Sequence, residues 1–325
     1  MKDIAHLKEE FLTYMQSCSF NQKPINLYAP INYILQLGGK RIRPVLALAA
    51  AELFESDTSI ALPVAYAVEL FHNFSLVHDD IMDNADLRRG QAAVHKKWDL
   101  NTGILSGDMI LIEAYDQLNA YPSDTCKGLF QLFTKTAKEV CIGQQLDVDF
   151  ESMEDVKIED YIEMITWKTS VLLACSLQMG AITAGASVHD QKHIYNFGKN
   201  LGIAFQMQDD ILDTFGVQAS VGKRIGGDII QNKKTYLYLK SLELSDEKSK
   251  NELLQLYSPN SNIAEQEKID KVKALFKTCY VKTYADELKT NYKDLAISHL
   301  NAVQVLDERK EILLTLVDYL DSRTV

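Results

Sequence analysis

AVELFHNFSLVHDDIMDNADLRRG, residues 67–90, changes character midway. Its first nine residues are apolar enough to read as a buried helix. Asp79, Asp80 and Asp83 then arrive, Asp86 follows, and Arg88 and Arg89 close the stretch. If the helix continues through Asp83, then Asp79 and Asp83 share one face, where like charges repel by about 0.2–0.5 kcal/mol. The end of a helix is also its negative pole, the wrong place for carboxylates. Such crowding needs compensation from outside the helix.

Working outward, helical spacing of apolar residues recurs in RPVLALAAAELF (43–54), DMILIEAYDQLNA (108–120) and ALFKTCYVKTYADELKTNY (274–292). Alternating strand patterns are scarce. The chain has six prolines, and none lies between Pro122 and Pro259 to interrupt these segments. The expectation is an all-α protein of ten or more helices. No Gly/Ser-rich linker divides it, so residues 1–325 are expected to form one domain. The polar stretch 241–268 reads as a surface excursion between two helices. VLLACSLQMGAITAGA (171–186) is shorter than the roughly 20 residues of a membrane span and reads as a buried helix whose small residues permit close packing.

A formal charge of −11 argues against nucleic-acid binding. Basic residues are nonetheless grouped at Lys40–Arg43, Arg88–Arg89, Lys223–Arg224 and Lys233–Lys234, which points to small anionic ligands. The five cysteines are scattered, without a C-x-x-C pair, and fit reduced thiols. The first ten residues lack the apolar core of a signal peptide, so a cytoplasmic protein without stable membrane insertion is expected.

VHDDIMD at 77–83 has an echo, MQDDILD at 207–213, 130 residues further on. A lone D-D-x-x-D is more often a solvated helix end, but two after apolar helical runs favour a shared cation site. Oxygen donors without His or Cys suit Mg²⁺ or Mn²⁺ rather than zinc. Because Mg²⁺ takes few carboxylates and completes its shell with phosphates, a diphosphate held through several ions is implied. GGKRIRP (38–44) places Lys40 and Arg43 within reach of one anion, Arg88 and Arg89 offer planar forks, and GKRIGGDIIQNKKT (222–235) adds Lys223 and Lys233 on a glycine loop. Blander readings stand beside these. His72 on an apolar helix is more often a core histidine, Thr169 and Gln206 suit ordinary helix positions, and Asp108 suits a helix N-cap as well as a site. Asp149 and Glu151 read as a solvated face.

Seven blocks in order, GGKRIRP, LVHDDIMDNADLRRG, GDMILIEAY, GQQLDVDF, WKTSVLLACSLQMGA, FQMQDDILD and GKRIGGDIIQNKKTYL, resemble those of the trans-isoprenyl diphosphate synthases, or polyprenyl synthetases. The resemblance implies the isoprenoid synthase fold, a bundle of helices around a deep central cavity, usually in a homodimer. It implies Asp79, Asp83 and Asp209 as ligands of Mg²⁺ (Mn²⁺ possible, three ions per site), with Asp80, Asp210, Asp213 and Asp147 in support and Gln144 beside them. Lys40, Arg43, His72 and Arg89 match the positions that hold isopentenyl diphosphate. Arg88, Lys168, Lys223 and Lys233 match those for the allylic diphosphate (dimethylallyl, geranyl or farnesyl). Lys168, Thr169 and Gln206 match the catalytic groups near the forming cation.

In the resembling enzymes a bulky residue near the first motif stops chain growth, which turns attention to Phe74, with Phe71 deeper and Ser75 adjacent. An aromatic there implies a short product. The small Ser75 and the absence of two extra residues in DDIMD lean toward geranylgeranyl diphosphate (C20), with farnesyl diphosphate (C15) the alternative. Simple core packing of both phenylalanines stays open. A class I terpene cyclase would share the first motif but carry a mixed Asn/Ser/Glu second motif, and a head-to-head synthase has different acidic motifs. A non-catalytic synthase subunit tends to lose aspartates that are intact here.

Overall fold

The computed structural model describes residues 2–216, 225–258, 261 and 263–321. These residues are helical almost throughout, as expected, and fall into two compact units. Unit 1 comprises Met1–Thr134, Cys175–Tyr195 and Val303–Leu313; unit 2 comprises Lys135–Ala174, Asn196–Ala302 and Leu314–Val325.

The first unit begins with α1 (Ile4–Ser17), α2 (Ile25–Gln36), α3 (Ile42–Leu53) and α4 (Leu62–Met82). A short hairpin follows, β1 (Leu87–Arg88) and β2 (Gln91–Ala92), then α5 (Val94–Lys97) and α6 (Leu100–Asp116). Pro63 sits in the first turn of α4, where its missing N–H is harmless. Val64 to Leu70 are buried without a break, so this helix has no solvent face there and packs against α3 and α6. The segment Thr58–Met82 is the one stretch among the described residues long and apolar enough to cross a membrane. Here it is the core helix of its unit.

Asp99 caps α6 by accepting from Thr102 N at 2.9 Å. Asp108 therefore lies inside the helix, and the N-cap reading for it fails because the chain is already helical from Leu100.

The remaining helices are α7 (Ser123–Ser152), α8 (Ile158–Ile165), α9 (Val171–Thr183), α10 (Val188–Phe215), α11 (Gly227–Ile230), α12 (Tyr236–Leu244), α13 (Glu247–Leu256), α14 (Glu265–Thr278), α15 (Val281–Ala302) and α16 (Asp307–Asp321). Small residues on α9 do permit close packing, since a Cβ on Gly180 would stand 2.0 Å from the Ala47 carbonyl oxygen of α3. The second unit's core gathers Tyr161, Met164, Ile203, Met207, Ile211, Tyr236 and Leu253. Leu253 belongs to α13, which corrects the reading of 241–268 as a surface excursion. Asp246 caps α13 through Ser249 N at 2.8 Å, and Leu253 and Leu256, three apart, bury its one apolar edge.

Between α8 and α9 the chain makes a π-turn, Thr166–Ser170, closed by Val171 N–H donating to the Thr166 carbonyl. This wide turn places Lys168 and Thr169. Two other helices come very close to it. A Cβ on Gly143 of α7 would lie 2.2 Å from Lys168 N, and one on Gly202 of α10 would lie 2.7 Å from Ser170 Cα.

Candidate active site

In unit 1 the first acidic motif ends α4. Asp83 caps the helix, its N–H donating to the Asp79 carbonyl at 2.8 Å, with Asp79 half-buried and Asp83 exposed. Asp80 is buried instead, and Arg88 forks it, Nε standing 3.0 and 3.1 Å from the two carboxylate oxygens while Nη2 donates as well. The hairpin makes this possible. Leu87 pairs with Ala92 and Arg88 with Gln91, leaving Arg89–Gly90 as the two-residue turn. Both turn residues have positive φ, 54° and 77°, as a type I′ hairpin requires. Arg88 thereby points to Asp80 while Arg89 Nη1 donates to the Gly38 carbonyl. Gly39 must be glycine, because its φ is 125° and a Cβ would stand 2.9 Å from the Arg89 guanidinium carbon.

GGKRIRP divides its charges. Lys40 is exposed ahead of α3, and Arg43 is partly buried in the first turn. Arg41, which sequence reading passed over, occupies the left-handed region at φ 54° and turns inward. There it donates to Glu69 and to the Leu35 carbonyl, both ends of the ion pair being 2% exposed. Asn73 ties Glu69 further, donating at 3.1 Å. Arg43 has a buried Nε with no hydrogen-bond partner, and burial lowers its guanidinium to about 10 despite Glu69, so it stays charged at neutral pH. His72 lies among these arginines. Burial first, then Arg43, Arg89, Arg41 and Arg88, push its imidazole well below the usual range. It is a neutral histidine inside a cationic cluster, a fuller account than a satisfied core residue.

An aromatic ladder runs along α4 beneath Asp79. Phe71 is buried against Phe133 at 5.5 Å between ring centres, Phe74 packs on Phe71 at 5.5 Å and on His78 at 4.8 Å. Ser75 donates to the His72 carbonyl at 2.9 Å.

In unit 2, Lys168 and Lys233 converge on one carboxylate. Both donate to Asp147 Oδ2, Lys233 from 3.2 Å, and Lys233 also reaches Glu151 at 3.3 Å. Glu151 is thus an ion-pair partner and not merely a solvated acid, whereas Asp149 accepts from Gln145 at 2.7 Å on the exposed side. Gln144 stands half-buried three residues before Asp147. Burial alone would raise Asp147, but Lys168 and Lys233 outweigh it and hold the carboxyl below its ordinary range.

The second acidic motif is shared in the same uneven way as the first. Asp209 and Asp213 are half-buried, Asp210 buried. Asp213 Oδ2 accepts from Asp228 N at 3.1 Å, fixing the start of α11. Asp210 accepts from the Tyr161 hydroxyl and from Gln206 Nε2 at 3.0 Å, and Thr169 Oγ1 donates to Gln206 Oε1 at 3.4 Å. Burial, then Asp228, raise the Asp210 carboxyl well above its usual range, and the two donors oppose that rise. Tyr161 carried no signal in sequence beyond an apolar helical position.

The structure therefore brings together Arg43, His72, Arg88 and Arg89, with Arg88 on Asp80, in the first unit, where Lys40 stands exposed ahead of α3. In the second it joins Lys168 and Lys233 on Asp147, and Thr169, through Gln206, on Asp210. Lys223 lies outside the described residues. Among those described, no three His, Cys, Asp or Glu side chains form a metal cluster by themselves. Asp79 with Asp83, and Asp209 with Asp213, are oxygen-only pairs four residues apart, a donor set that fits Mg²⁺ completed by phosphate and water.

Helices that present carboxylate pairs next to clustered arginines and lysines have the make-up of a metal-assisted enzyme acting on diphosphates. The sequence profile of the polyprenyl synthetase family matches residues 24–278, and the chain belongs to that family. It is a short-chain trans-prenyltransferase. A crystal structure of a geranylgeranyl pyrophosphate synthase is similar over 100% of both chains, at 44% identity and a TM-score of 0.96. Geranylgeranyl diphosphate synthase of Methanosarcina mazei is 35% identical over 303 residues, covering 93% of this chain and 91% of its own. Geranylfarnesyl diphosphate synthase of Natronomonas pharaonis is 38% identical over 236 residues, 67% of this chain and 69% of its own.

Proposed function

We propose that this enzyme condenses isopentenyl diphosphate with an allylic diphosphate, head to tail, and releases geranylgeranyl diphosphate, C20. The observation that carries the reading is the convergence of Lys168 and Lys233 on Asp147 beside the π-turn. It assembles two ammonium groups where a leaving diphosphate gathers charge, the kind of preorganised electrostatics that lowers a barrier without rearrangement. Dimethylallyl, geranyl and farnesyl diphosphates are the expected allylic partners, bound by Arg88, Lys168, Lys223 and Lys233. Lys40, Arg43, Arg89 and neutral His72 hold the isopentenyl diphosphate.

Asp79, Asp83 and Asp209, supported by Asp80, Asp210, Asp213 and Asp147, would hold Mg²⁺, three ions per site. When bound, the metal supplies Lewis acidity to the departing diphosphate. The C–O bond breaks, the double bond of isopentenyl diphosphate attacks the allylic carbon, and a proton leaves to give a chain longer by five carbons. Thr169 and Gln206 border the developing cation. No side-chain base is assigned, since the released diphosphate can take the proton.

C20 is preferred over C15 because relatives of that name cover nearly the whole chain and because Phe74, aromatic and close below Asp79, suits a near floor. We also propose a single functional domain, since the family profile spans residues of both units, and a cytoplasmic homodimer. Leu105 and Ile112, seven residues apart on α6, are 59% and 61% exposed and suit a second copy. The test is incubation of the purified protein with isopentenyl diphosphate and each allylic primer, then chromatography of the dephosphorylated alcohols. Geranylgeraniol that disappears with EDTA and returns with Mg²⁺ is expected. A dominant farnesol, or turnover in EDTA, would overturn the product or the metal assignment respectively.

A further inference from the structure

We infer that Tyr161 and Asp210 are positioning residues that set the polarity of the Gln206 amide, and through it the way Thr169 presents its hydroxyl oxygen; this rests on the proposed prenyl transfer. The four side chains form one chain of bonds. Tyr161 O–H donates to Asp210 Oδ2, Gln206 Nε2 donates to Asp210 Oδ1 at 3.0 Å, and Thr169 Oγ1 stands 3.4 Å from Gln206 Oε1. Asp210 Oδ1 accepts from Gln206 Nε2, so the NH₂ end of Gln206 faces Asp210. The carbonyl end is thereby turned toward Thr169. Between two oxygens only the hydroxyl hydrogen can bridge, so Thr169 donates. Its lone pairs are left for whatever lies beyond, and an electron-rich oxygen suits an allylic carbon that is becoming positive.

With the amide reversed, its NH₂ would meet the hydroxyl oxygen and swing the O–H outward. The group would then offer a positive edge to a cation. At 3.4 Å the grip on the hydroxyl is loose, so its direction depends on an amide that cannot turn. Backbone packing keeps the partners in register. Gln206 and Asp210 are four apart on α10, and Gly202, one turn earlier, lies against Ser170 at the end of the π-turn. Asp210 is 4% exposed and both its oxygens accept from these donors, which separates its task from that of half-buried Asp209.

The experiment is a double-mutant cycle in the full-length enzyme with isopentenyl and farnesyl diphosphates. Tyr161→Phe should lower kcat about tenfold, the size of one lost hydrogen bond to a charged group. The KM values and the half-saturating Mg²⁺ concentration should stay within about twofold, because no substrate or metal contact is removed. In a Thr169→Val background the same substitution should cost less than about twofold, since the hydroxyl it orients is gone. An equal loss in both backgrounds, or no loss in the first, overturns the inference. Asp210→Asn is the second arm and serves if Tyr161→Phe folds poorly. A fall in kcat with a Mg²⁺ requirement well below that of Asp209→Asn supports positioning, and a requirement raised as far as by Asp209→Asn makes Asp210 a metal ligand and overturns it. A wild-type enzyme that does not elongate any allylic primer would fail the proposed function itself, whereas elongation with an additive cycle fails only this inference.

Discussion

Arg41 and Arg43 stand two residues apart in one basic block and do opposite things. Arg41 is spent on a buried ion pair with Glu69, while burial lowers the Arg43 guanidinium to about 10; the Nε of each is buried without a hydrogen-bond partner. Removing one partner of such a pair leaves the other uncompensated, so Glu69→Gln should destabilise the protein by about 3 kcal/mol, read from urea unfolding. A change below the error of that measurement would mean that Arg41 finds another partner. His72 supplies a pH test. In the unfolded chain it titrates near its ordinary value, about 6.5, whereas the folded protein holds it well below. The native state therefore binds fewer protons, and its stability falls as pH drops below the unfolded value toward the lowered native one. Between about pH 7.5 and about pH 5.5 the wild type should lose roughly 1.4 kcal/mol relative to His72→Asn. Parallel pH profiles would show that His72 charges normally in the fold. Sequence picked out Lys40, Arg43, His72, Arg88 and Arg89 from the resemblance, but it had no means of telling which arginine turns inward. That choice is made by a left-handed φ of 54° at Arg41, and nothing in residue type signals a left-handed arginine.

At the level of elements, what was legible is what periodicity encodes. The long apolar helices and the small-residue packing of α9 follow from spacing and size. The hairpin at 87–92 was not visible, because a type I′ turn is usually announced by Asn-Gly or Asp-Gly and here its first position is Arg89. Helix α13 was hidden by its composition, since two leucines three apart are all it buries. The π-turn was hidden for a different reason: one extra residue in five leaves no mark on a pattern read over a dozen. Its maintenance is nonetheless testable. Gly143→Ala drives a methyl group to 2.2 Å from Lys168 N, so the turn must shift. Turnover should fall by at least about tenfold, as small displacements of catalytic groups do, and stability should drop by about 1–3 kcal/mol from overpacking. Gly128→Ala, on the same helix with nothing within 4 Å, is the control. It should gain up to about 1 kcal/mol from helix propensity and keep full turnover. Equal behaviour of the two variants in melting and rate would show that the close approach at Gly143 does not hold the turn.

Across the whole molecule, the seven sequence blocks fall in both units, and each acidic motif repeats one plan: outer aspartates half-buried or exposed, the middle one buried and bonded to protein. Asp80 goes to Arg88, Asp210 to Tyr161 and Gln206. The echo at 130 residues was plain in sequence, but the inward turn of the middle aspartate was not, since helical phase depends on the neighbours that cover it. Product length is the property that belongs to this scale, because it depends on how far a chain can grow before meeting a wall. Phe74 is the wall we propose. It lies five residues before Asp79, about 7.5 Å along a helix axis, and it is half-buried between Phe71 and His78. Phe71 is 1% exposed and locked against Phe133, so its replacement by Ala should cost about 3–5 kcal/mol as a core cavity. Phe74→Ala should cost less and instead lengthen the product beyond the proposed C20, with C25 alcohols appearing on the chromatogram at the expense of geranylgeraniol. The two variants separate floor from core: the floor changes the product at modest cost, the core changes the stability. If Phe74→Ala still stops at C20 while remaining folded, the wall stands elsewhere and Phe74 is core like its neighbour.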